Sequence, residues 1–156
     1  YRQNKKYFDL REVVLKAVER LQPLAEKKKI KVSLDIEPKV PLVLGDEDRI
    51  VAVVDVFLEN ACIYNNEGGT VRVILKSMKR DVVFRVTDTG IGIKQEDQKH
   101  IFTRFFRTYA AKIADTEGMG LGLSMSKSII KKHHGVIHVE SEGDGKGSSF
   151  WFSLPT

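Results

Sequence analysis

The spacing of apolar residues changes several times between a helical period and strand-like alternation, and the order of these changes limits the possible folds. From the amino terminus the pattern predicts helix, strand, helix, two strands, a long loop, helix and two strands. This order predicts one α+β domain. We expect a two-layer α/β sandwich, in which helices cover one face of a mixed sheet.

Three amphipathic segments predict the helices, and capping residues mark their ends. Asp9 and Asp46 stand where a side chain can accept hydrogen bonds from the first N–H groups of the first two helices. Pro23 should kink or locally break the first helix, and Gly135 should end the third helix in the C′ position. The helices are predicted over residues 10–29, 47–64 and 121–134.

Alternation of apolar and polar residues predicts a single strand over residues 30–36, a short strand before the second helix, and two hairpins. A tight Lys79-Arg80 turn should join the first hairpin, and the glycine-rich segment 143–147 should join the second. The hairpin strands are predicted over residues 70–78, 81–88, 136–142 and 148–154.

Length and composition indicate one globular domain. Of the 156 residues, 42% are apolar and 30% are charged, and the apolar stretches are far too short to span a bilayer. The net charge of +5 suits any anionic ligand, and the single cysteine, Cys62, indicates a reducing compartment. The first residues are not a signal peptide. We interpret the chain as an excised cytosolic domain over residues 9–156, preceded by a linker or the end of a helix over residues 1–8.

Residues 94–119 have glycine near both ends and little regular period, apart from a short helical piece at 95–101. A long segment without secondary structure is uncommon inside a compact domain unless it is functional. This segment is therefore a candidate for a lid.

Three alternating glycines, Gly118, Gly120 and Gly122, stand directly before the third helix. Glycine lets the backbone approach a ligand closely, and a helix N-terminus offers free N–H groups and a positive dipole, so this arrangement predicts a phosphate site. It is not the dinucleotide fingerprint, because Leu123 stands where glycine is required, nor a P-loop, because Gly147 follows the only glycine–lysine pair. A mobile glycine-rich loop is the alternative.

Two polar side chains stand out against apolar surroundings. Asp88 ends a hydrophobic strand and begins the sequence D-x-G-x-G, so it could accept a hydrogen bond from an amino group such as that of adenine, or merely cap a turn. Asn60 lies in an apolar stretch of the second helix, where an amide is costly without partners. It is either a hydrogen-bonded core residue or an oxygen ligand for a cation such as Mg²⁺.

In this order, the three blocks resemble the N, G1 and G2 boxes of the ATP-binding superfamily that joins gyrase, mismatch-repair and chaperone ATPases and histidine kinases. Residues 101–107, IFTRFFR, resemble the F box and point to the catalytic ATP-binding domain of sensor histidine kinases. Residues 8–10, 134–137 and 145–150 fit the same family. The resemblance covers about residues 8–155 and implies a Bergerat-type ATP-binding fold.

The resemblance also implies ATP and Mg²⁺ as cofactors and assigns roles to particular residues. Asn60 would bind Mg²⁺, Asp88 would read adenine, and Tyr64 would flank the nucleotide. Arg107 would reach the phosphates from a lid over residues 108–117 and, with Asn60, take part in catalysis. The other implied nucleotide contacts are Gly90, Gly92, Ile93, Gly118, Gly120, Leu121, Gly122 and Leu123.

The function implied is donation of the γ-phosphoryl group to a histidine on a separate helical dimerisation domain, through which a response regulator would act. We expect a cytoplasmic domain of a membrane-bound parent, with no membrane insertion of its own and no nucleic-acid partner. No histidine here has the H-E-x-x-T-P context that resembles the family's phosphoacceptor, so self-labelling is not expected. The alternatives are another ATPase or serine kinase of the superfamily, and a nucleotide-binding regulatory module without phosphotransfer.

Two positions depart from the family pattern in the second helix. Val56 stands where the family usually has a polar residue, and Ile63 stands where it usually has lysine or arginine. Helical spacing predicts that Ile63 lies near the metal-bound phosphates, where Lys112 and Arg107 could supply the missing positive charge from the lid. On this hypothesis, Ile63→Lys tightens ATP binding or speeds phosphotransfer.

Overall fold

The structure is a computed structural model, and it describes residues 4–114 and 122–156. No helix within these residues combines the length and the apolar character needed to cross a membrane. The helices are α1 (Leu10–Lys27), α2 (Glu47–Ile63), α3 (Gln95–Gln98), α4 (Tyr109–Ala114) and α5 (Gly122–Lys132). The strands are β1 (Lys6–Phe8), β2 (Lys31–Ile36), β3 (Val43–Gly45), β4 (Thr70–Met78), β5 (Asp81–Asp88), β6 (Val136–Glu140) and β7 (Ser148–Pro155).

Five strands form a mixed sheet in the order β2-β4-β5-β7-β6. Only β2 and β4 pair in parallel; the other neighbours in this sheet are antiparallel. Both predicted hairpins are confirmed, and Lys79 takes a positive φ of 58° in the tight turn between β4 and β5.

The predicted two-layer sandwich is also confirmed. Along β4 and β5 buried residues alternate with more exposed ones, as expected for a sheet with one face in the core. Phe57 of α2 packs on that face, with its ring centroid 6.1 Å from Phe84 and 5.7 Å from both Phe150 and Phe152. The helical layer therefore covers one face of the sheet, and α2 packs on β5 and β7 within that layer.

Helix α1 begins as predicted, because the Asp9 side chain accepts a 2.9 Å hydrogen bond from the Arg11 N–H. Pro23 does not break the helix, which continues to Lys27, so that part of the prediction is wrong; the alternative, a kink at Pro23, stays a prediction. Leu21 and Ala25 are buried on either side of the proline. Their packing against the core holds this turn in the helix despite the missing N–H donor.

Helix α5 ends at Lys132, two residues before the predicted end at His134. His134, not Gly135, takes the left-handed C′ conformation, with φ of 60°. The Gly135 N–H donates to the Ile130 carbonyl (3.0 Å) and the His134 N–H to the Lys131 carbonyl (3.1 Å), which is the Schellman pattern. Gly135 is needed for a different reason: a Cβ there would collide with the Ser153 carbonyl of β7.

A second, two-stranded sheet was not predicted. β1 pairs antiparallel with β3, so residues 6–8 form a strand where the sequence suggests a linker or helix end. Asp46 takes the N-cap position of α2, but its side chain makes no capping hydrogen bond and instead accepts one from the Asn4 N–H (3.2 Å). The boundary between linker and domain stays a prediction.

Candidate nucleotide-binding pocket

A cavity lies between the last turn of α2, the loop after β5, the segment before α4, and the beginning of α5. Seven residues expected from the sequence to bind nucleotide line it: Asn60, Tyr64, Asp88, Gly92, Ile93, Arg107 and Leu123. Seven further residues complete the wall: Ile91, Ile101, Phe106, Thr108, Ala111, Ser148 and Phe150. The wall is mostly apolar, with a few converging polar groups, as is usual for small-molecule sites.

Asp88 is the carboxylate of this wall, and only 9% of its surface is exposed. One carboxylate oxygen accepts a hydrogen bond from the Gly90 N–H (2.8 Å), and the other accepts one from the Ser148 hydroxyl (3.0 Å). Burial raises the pKa of Asp88 above its ordinary value, although the hydrogen bonds from Gly90 and Ser148 act in the opposite direction. The carboxylate is thus fixed in orientation and can accept a further hydrogen bond from an amino group.

Asn60 and Tyr64 lie one turn apart at the end of α2, and both face the pocket. The Tyr64 carbonyl accepts a 3.0 Å hydrogen bond from the Ile91 N–H, which joins the end of α2 to the loop after Asp88. An amide oxygen suits Mg²⁺, which binds through few protein ligands together with waters and substrate phosphates. The described residues hold no cluster of three His, Cys, Asp or Glu side chains able to bind a metal. Asn60 is thus a residue of the wall whose side-chain oxygen suits such a metal.

Gly90 and Gly92 shape the loop through close backbone contacts. A Cβ on Gly90 would collide with the Tyr64 carbonyl, so glycine is what lets the loop approach α2. Gly92 has a positive φ of 70°, and a Cβ there would collide with the Gly143 carbonyl. Gly90 does not line the cavity itself; it positions the residues on either side of it.

Arg107 lines the pocket from the predicted lid, and its guanidinium donates a 3.1 Å hydrogen bond to the Ala111 carbonyl. The sequence predicts no regular structure over residues 108–114, but the structure has α4 there. The Thr108 hydroxyl accepts a 3.0 Å hydrogen bond from the Ala111 N–H, as a helix-capping residue does. Residues 115–117 of the predicted lid lie outside the described residues.

The predicted glycine-rich phosphate site is only partly within the structure. Gly118, Gly120 and Leu121 lie outside the described residues, and their contacts stay predictions. Gly122, the first residue of α5, is not among the residues that line the cavity and lies against Val56: a Cβ on Gly122 would lie 3.1 Å from a Val56 methyl carbon. Val56 is therefore next to the start of α5, the end of the pocket at which the sequence places phosphate.

The predicted position of Ile63 is wrong. Ile63 lines a separate groove between α1 and α2, together with Leu21 and Glu59, and does not line the pocket. The reason is helical geometry: a residue three positions after Asn60 is rotated about 60° to one side, whereas Tyr64, four positions on, is rotated about 40° to the other. The pocket lies on the Tyr64 side. The hypothesis that Lys112 replaces a charge lost at Ile63 therefore has no structural basis.

Ser148 is a polar residue of the pocket wall that the sequence did not predict as a binding residue. Because β5 and β7 pair with Asp88 opposite Ser148, the hydroxyl lies beside the carboxylate. The signal was present in the sequence, since residues 145–150 match the family's closing G-x-G-S-x-F segment. Only the register between two strands far apart in sequence shows what the serine does.

Residues 45–156 match the family described as Histidine kinase-, DNA gyrase B-, and HSP90-like ATPase. The chain is 40% identical over 148 residues to the adaptive-response sensory kinase SasA of Thermosynechococcus vestitus. That match covers 94% of this chain but only 38% of SasA, so the chain spans well under half of the length of this relative.

Solved structures of histidine kinases are also similar to this chain. The catalytic domain of the histidine kinase ThkA superposes with a TM-score of 0.84 at 27% identity, covering 97% of each chain. Full-length ShkA in complex with AMPPNP gives a TM-score of 0.84 at 26% identity, covering 99% of this chain and 32% of ShkA.

The chain therefore belongs to the family of histidine kinase-, gyrase- and HSP90-like ATPases. Within that family it is of the type found as the catalytic, ATP-binding domain of sensor histidine kinases.

Proposed function

We propose that this domain binds Mg–ATP in the pocket around Asp88 and donates the γ-phosphoryl group to a histidine on a separate helical dimerisation domain. The observation that carries the proposal is the buried Asp88 carboxylate, held by Gly90 and Ser148 in a largely apolar cavity that also contains Asn60 and Arg107. A related kinase with the same fold, ShkA, has been solved with AMPPNP.

In this proposal the adenine ring lies among the apolar side chains of the wall and donates its amino hydrogen bond to Asp88. Guanine has a carbonyl at the corresponding position, and the carboxylate would then face another acceptor. A mismatch of this kind in a buried site costs about 1–3 kcal/mol, so adenine nucleotides should bind roughly tenfold to a hundredfold more tightly.

At the other end of the pocket, Asn60 would hold Mg²⁺ through its amide oxygen, and Arg107 would contact the phosphates. The metal, when bound, supplies charge neutralisation on the phosphate oxygens, and phosphoryl transfer asks mainly for positioning and charge stabilisation from the protein. Arg107 already lies in the cavity wall, so it can add positive charge there.

The acceptor is proposed to be outside this domain. His133 is buried and its ring is hydrogen-bonded to the Asp46 N–H (3.0 Å) and near the Ile129 carbonyl (2.7 Å), so it has no access to a nucleotide. His134 and His138 are not part of the pocket wall. The dimerisation domain, a response regulator acting through it and a cytoplasmic location in a membrane-bound parent remain parts of the proposal that rest on the family resemblance.

A regulatory module that binds nucleotide without transferring phosphate is the second candidate. Val56 favours it, because an aliphatic side chain lies beside the start of α5 where the family usually has a polar group. Ile63 no longer supports it, since this side chain faces away from the pocket.

Two measurements test the proposal. Titration calorimetry of this domain with ADP and GDP in the presence of Mg²⁺ should show binding of ADP and a weaker affinity for GDP. Phosphate transferred from labelled ATP by the whole parent kinase should be acid-labile, as phosphohistidine is, and should be absent from this domain alone. Equal affinities would contradict the role of Asp88, acid-stable phosphate would indicate a serine kinase, and binding without transfer would select the regulatory module.

A further inference from the structure

A lysine at the end of α1 donates hydrogen bonds to backbone carbonyls at the end of α2. Lys28 follows α1 directly, and its ammonium group donates to three backbone carbonyls: those of Cys62 (2.9 Å), Ile63 (2.8 Å) and Asn65 (2.8 Å). An ammonium group has three N–H donors, so these three bonds use all of them.

These contacts complete the end of α2. The last four carbonyls of a helix have no partner within it, and a positive charge near them is favourable because of the helix dipole. The last turn of α2 contains no basic residue of its own. Lys28 supplies both the donors and the charge from α1, and the Ile91 N–H supplies the donor for the Tyr64 carbonyl.

The same turn carries two residues of the pocket wall. Asn60 and Tyr64 lie on it, and the Tyr64 carbonyl is in contact with the loop of Gly90 and Ile91. That loop also orients Asp88 through the Gly90 N–H. A shift of the last turn of α2 therefore changes the position of the proposed metal ligand relative to the proposed adenine-binding carboxylate.

We propose that Lys28 is a positioning residue for the nucleotide pocket: its ammonium group fixes the last turn of α2, and with it Asn60 and Tyr64, against the loop that carries Asp88. Lys28 does not line the pocket and has no contact with nucleotide in this proposal. The inference rests on the function proposed above.

The test compares three variants of the domain. Lys28→Met keeps the aliphatic stem but removes the donors and the charge. Lys28→Arg keeps the charge and several donors, although with a different geometry. Lys27→Met is the matched control, because it makes the same chemical change at an exposed position one residue away. Thermal unfolding followed by circular dichroism first establishes a temperature at which all variants are folded.

The first readout is Mg–ADP affinity by calorimetry. We expect Lys28→Met to weaken binding about tenfold, the size of effect typical for groups that orient a ligand-binding residue. Lys28→Arg should restore part of the loss, and Lys27→Met should bind as the unmodified domain does. Affinity in Lys28→Met equal to that of Lys27→Met would overturn the proposal.

The second readout does not depend on nucleotide. Cys62 is the only cysteine of the chain and is fully buried, and burial raises the pKa of its thiol to about 11, so a thiol reagent should modify it only when this turn opens. Lys28→Met should speed modification of Cys62 at least about tenfold at low urea, with a weak urea dependence that marks local opening. Unchanged modification would show that Lys28 does not fix the turn.

The two readouts separate the two hypotheses. If the unmodified domain binds no adenine nucleotide, the proposed function is wrong. The positioning role of Lys28 in a nucleotide pocket is then wrong as well, even if faster modification of Cys62 in Lys28→Met shows that Lys28 fixes the turn. The other outcome is that the unmodified domain binds ADP, while in Lys28→Met the Cys62 thiol is modified faster and the affinity for ADP is unchanged. The proposed function then stands, and Lys28 contributes to stability alone.

Discussion

Replacing Asp88 by asparagine should weaken nucleotide binding without lowering the stability of the fold. The carboxylate is 9% exposed, and burial raises its pKa, which means that the folded protein bears a cost for keeping the group ionised. Asparagine has nearly the same shape and carries no charge. Its oxygen can accept the hydrogen bond from the Gly90 N–H, while its NH₂ group can donate to the Ser148 hydroxyl, which can also act as an acceptor.

The fold should therefore tolerate Asp88→Asn, with a free energy of unfolding at neutral pH that is unchanged or slightly higher. The pocket should not tolerate it. An NH₂ group then faces the amino group of adenine, so a charge-assisted hydrogen bond is replaced by a contact between two donors. Loss of a hydrogen bond to a charged group costs about 1.5–3 kcal/mol, which predicts an affinity for ADP roughly tenfold to a hundredfold lower.

Calorimetry with Mg–ADP and urea unfolding of the same samples measure the two effects. Ser148→Ala is the control, because it removes one donor to the carboxylate but leaves the acceptor for adenine in place. It should weaken ADP binding much less than Asp88→Asn does. The reasoning is refuted if Asp88→Asn binds ADP as tightly as the unmodified domain, or if the lost affinity is accompanied by an equal loss of stability.

The remaining predictions concern pH, a helix end and the α1–α2 groove. If Asp88 accepts the adenine hydrogen bond as a carboxylate, as we propose, ADP affinity should fall as the pH falls through its raised pKa, and calorimetry at several pH values measures this. The contribution of Asp88 to folding stability changes in the opposite direction: it decreases as the pH rises from the ordinary carboxyl pKa through the raised one. His134→Gly should stabilise the domain by about 1 kcal/mol, or roughly 2–4 °C in thermal unfolding, since His134 has a φ of 60° at the C′ position; an unchanged midpoint would contradict this. Ile63→Lys should leave ADP affinity within about twofold of the original, because the side chain lies in the groove beside Glu59; a large gain in affinity would restore the earlier hypothesis.

The sequence predicts most of the fold because most elements have a local cause. Residues close together in sequence determine the alternating burial in β4 and β5 and the Asp9 cap of α1. The structure contains all of these features. Pro23 shows where a local rule fails, because burial on both sides of the proline outweighs one missing donor.

The elements that were missed depend on contacts between distant parts of the chain. β1 is a strand only because β3, more than thirty residues away, pairs with it. The role of Ser148 depends on the register of β7 against β5, and the three bonds of Lys28 depend on how α1 packs beside the end of α2. No local pattern in the sequence contains these distances. For the pocket, the motifs supplied the residue types, and the tertiary structure supplied their partners.

The two departures from the family pattern are not equivalent, and only the structure separates them. Both lie on α2, and the sequence places both on the side that should meet metal and phosphate. In the structure Val56 lies beside the first residue of α5, whereas Ile63 faces α1 and contributes its carbonyl to Lys28. The Ile63 position therefore acts here through its backbone, which an aliphatic residue serves as well as lysine. Any loss of catalytic competence should then be traced to Val56, because of the two side chains only Val56 lies beside the start of α5, where we propose that the phosphates bind.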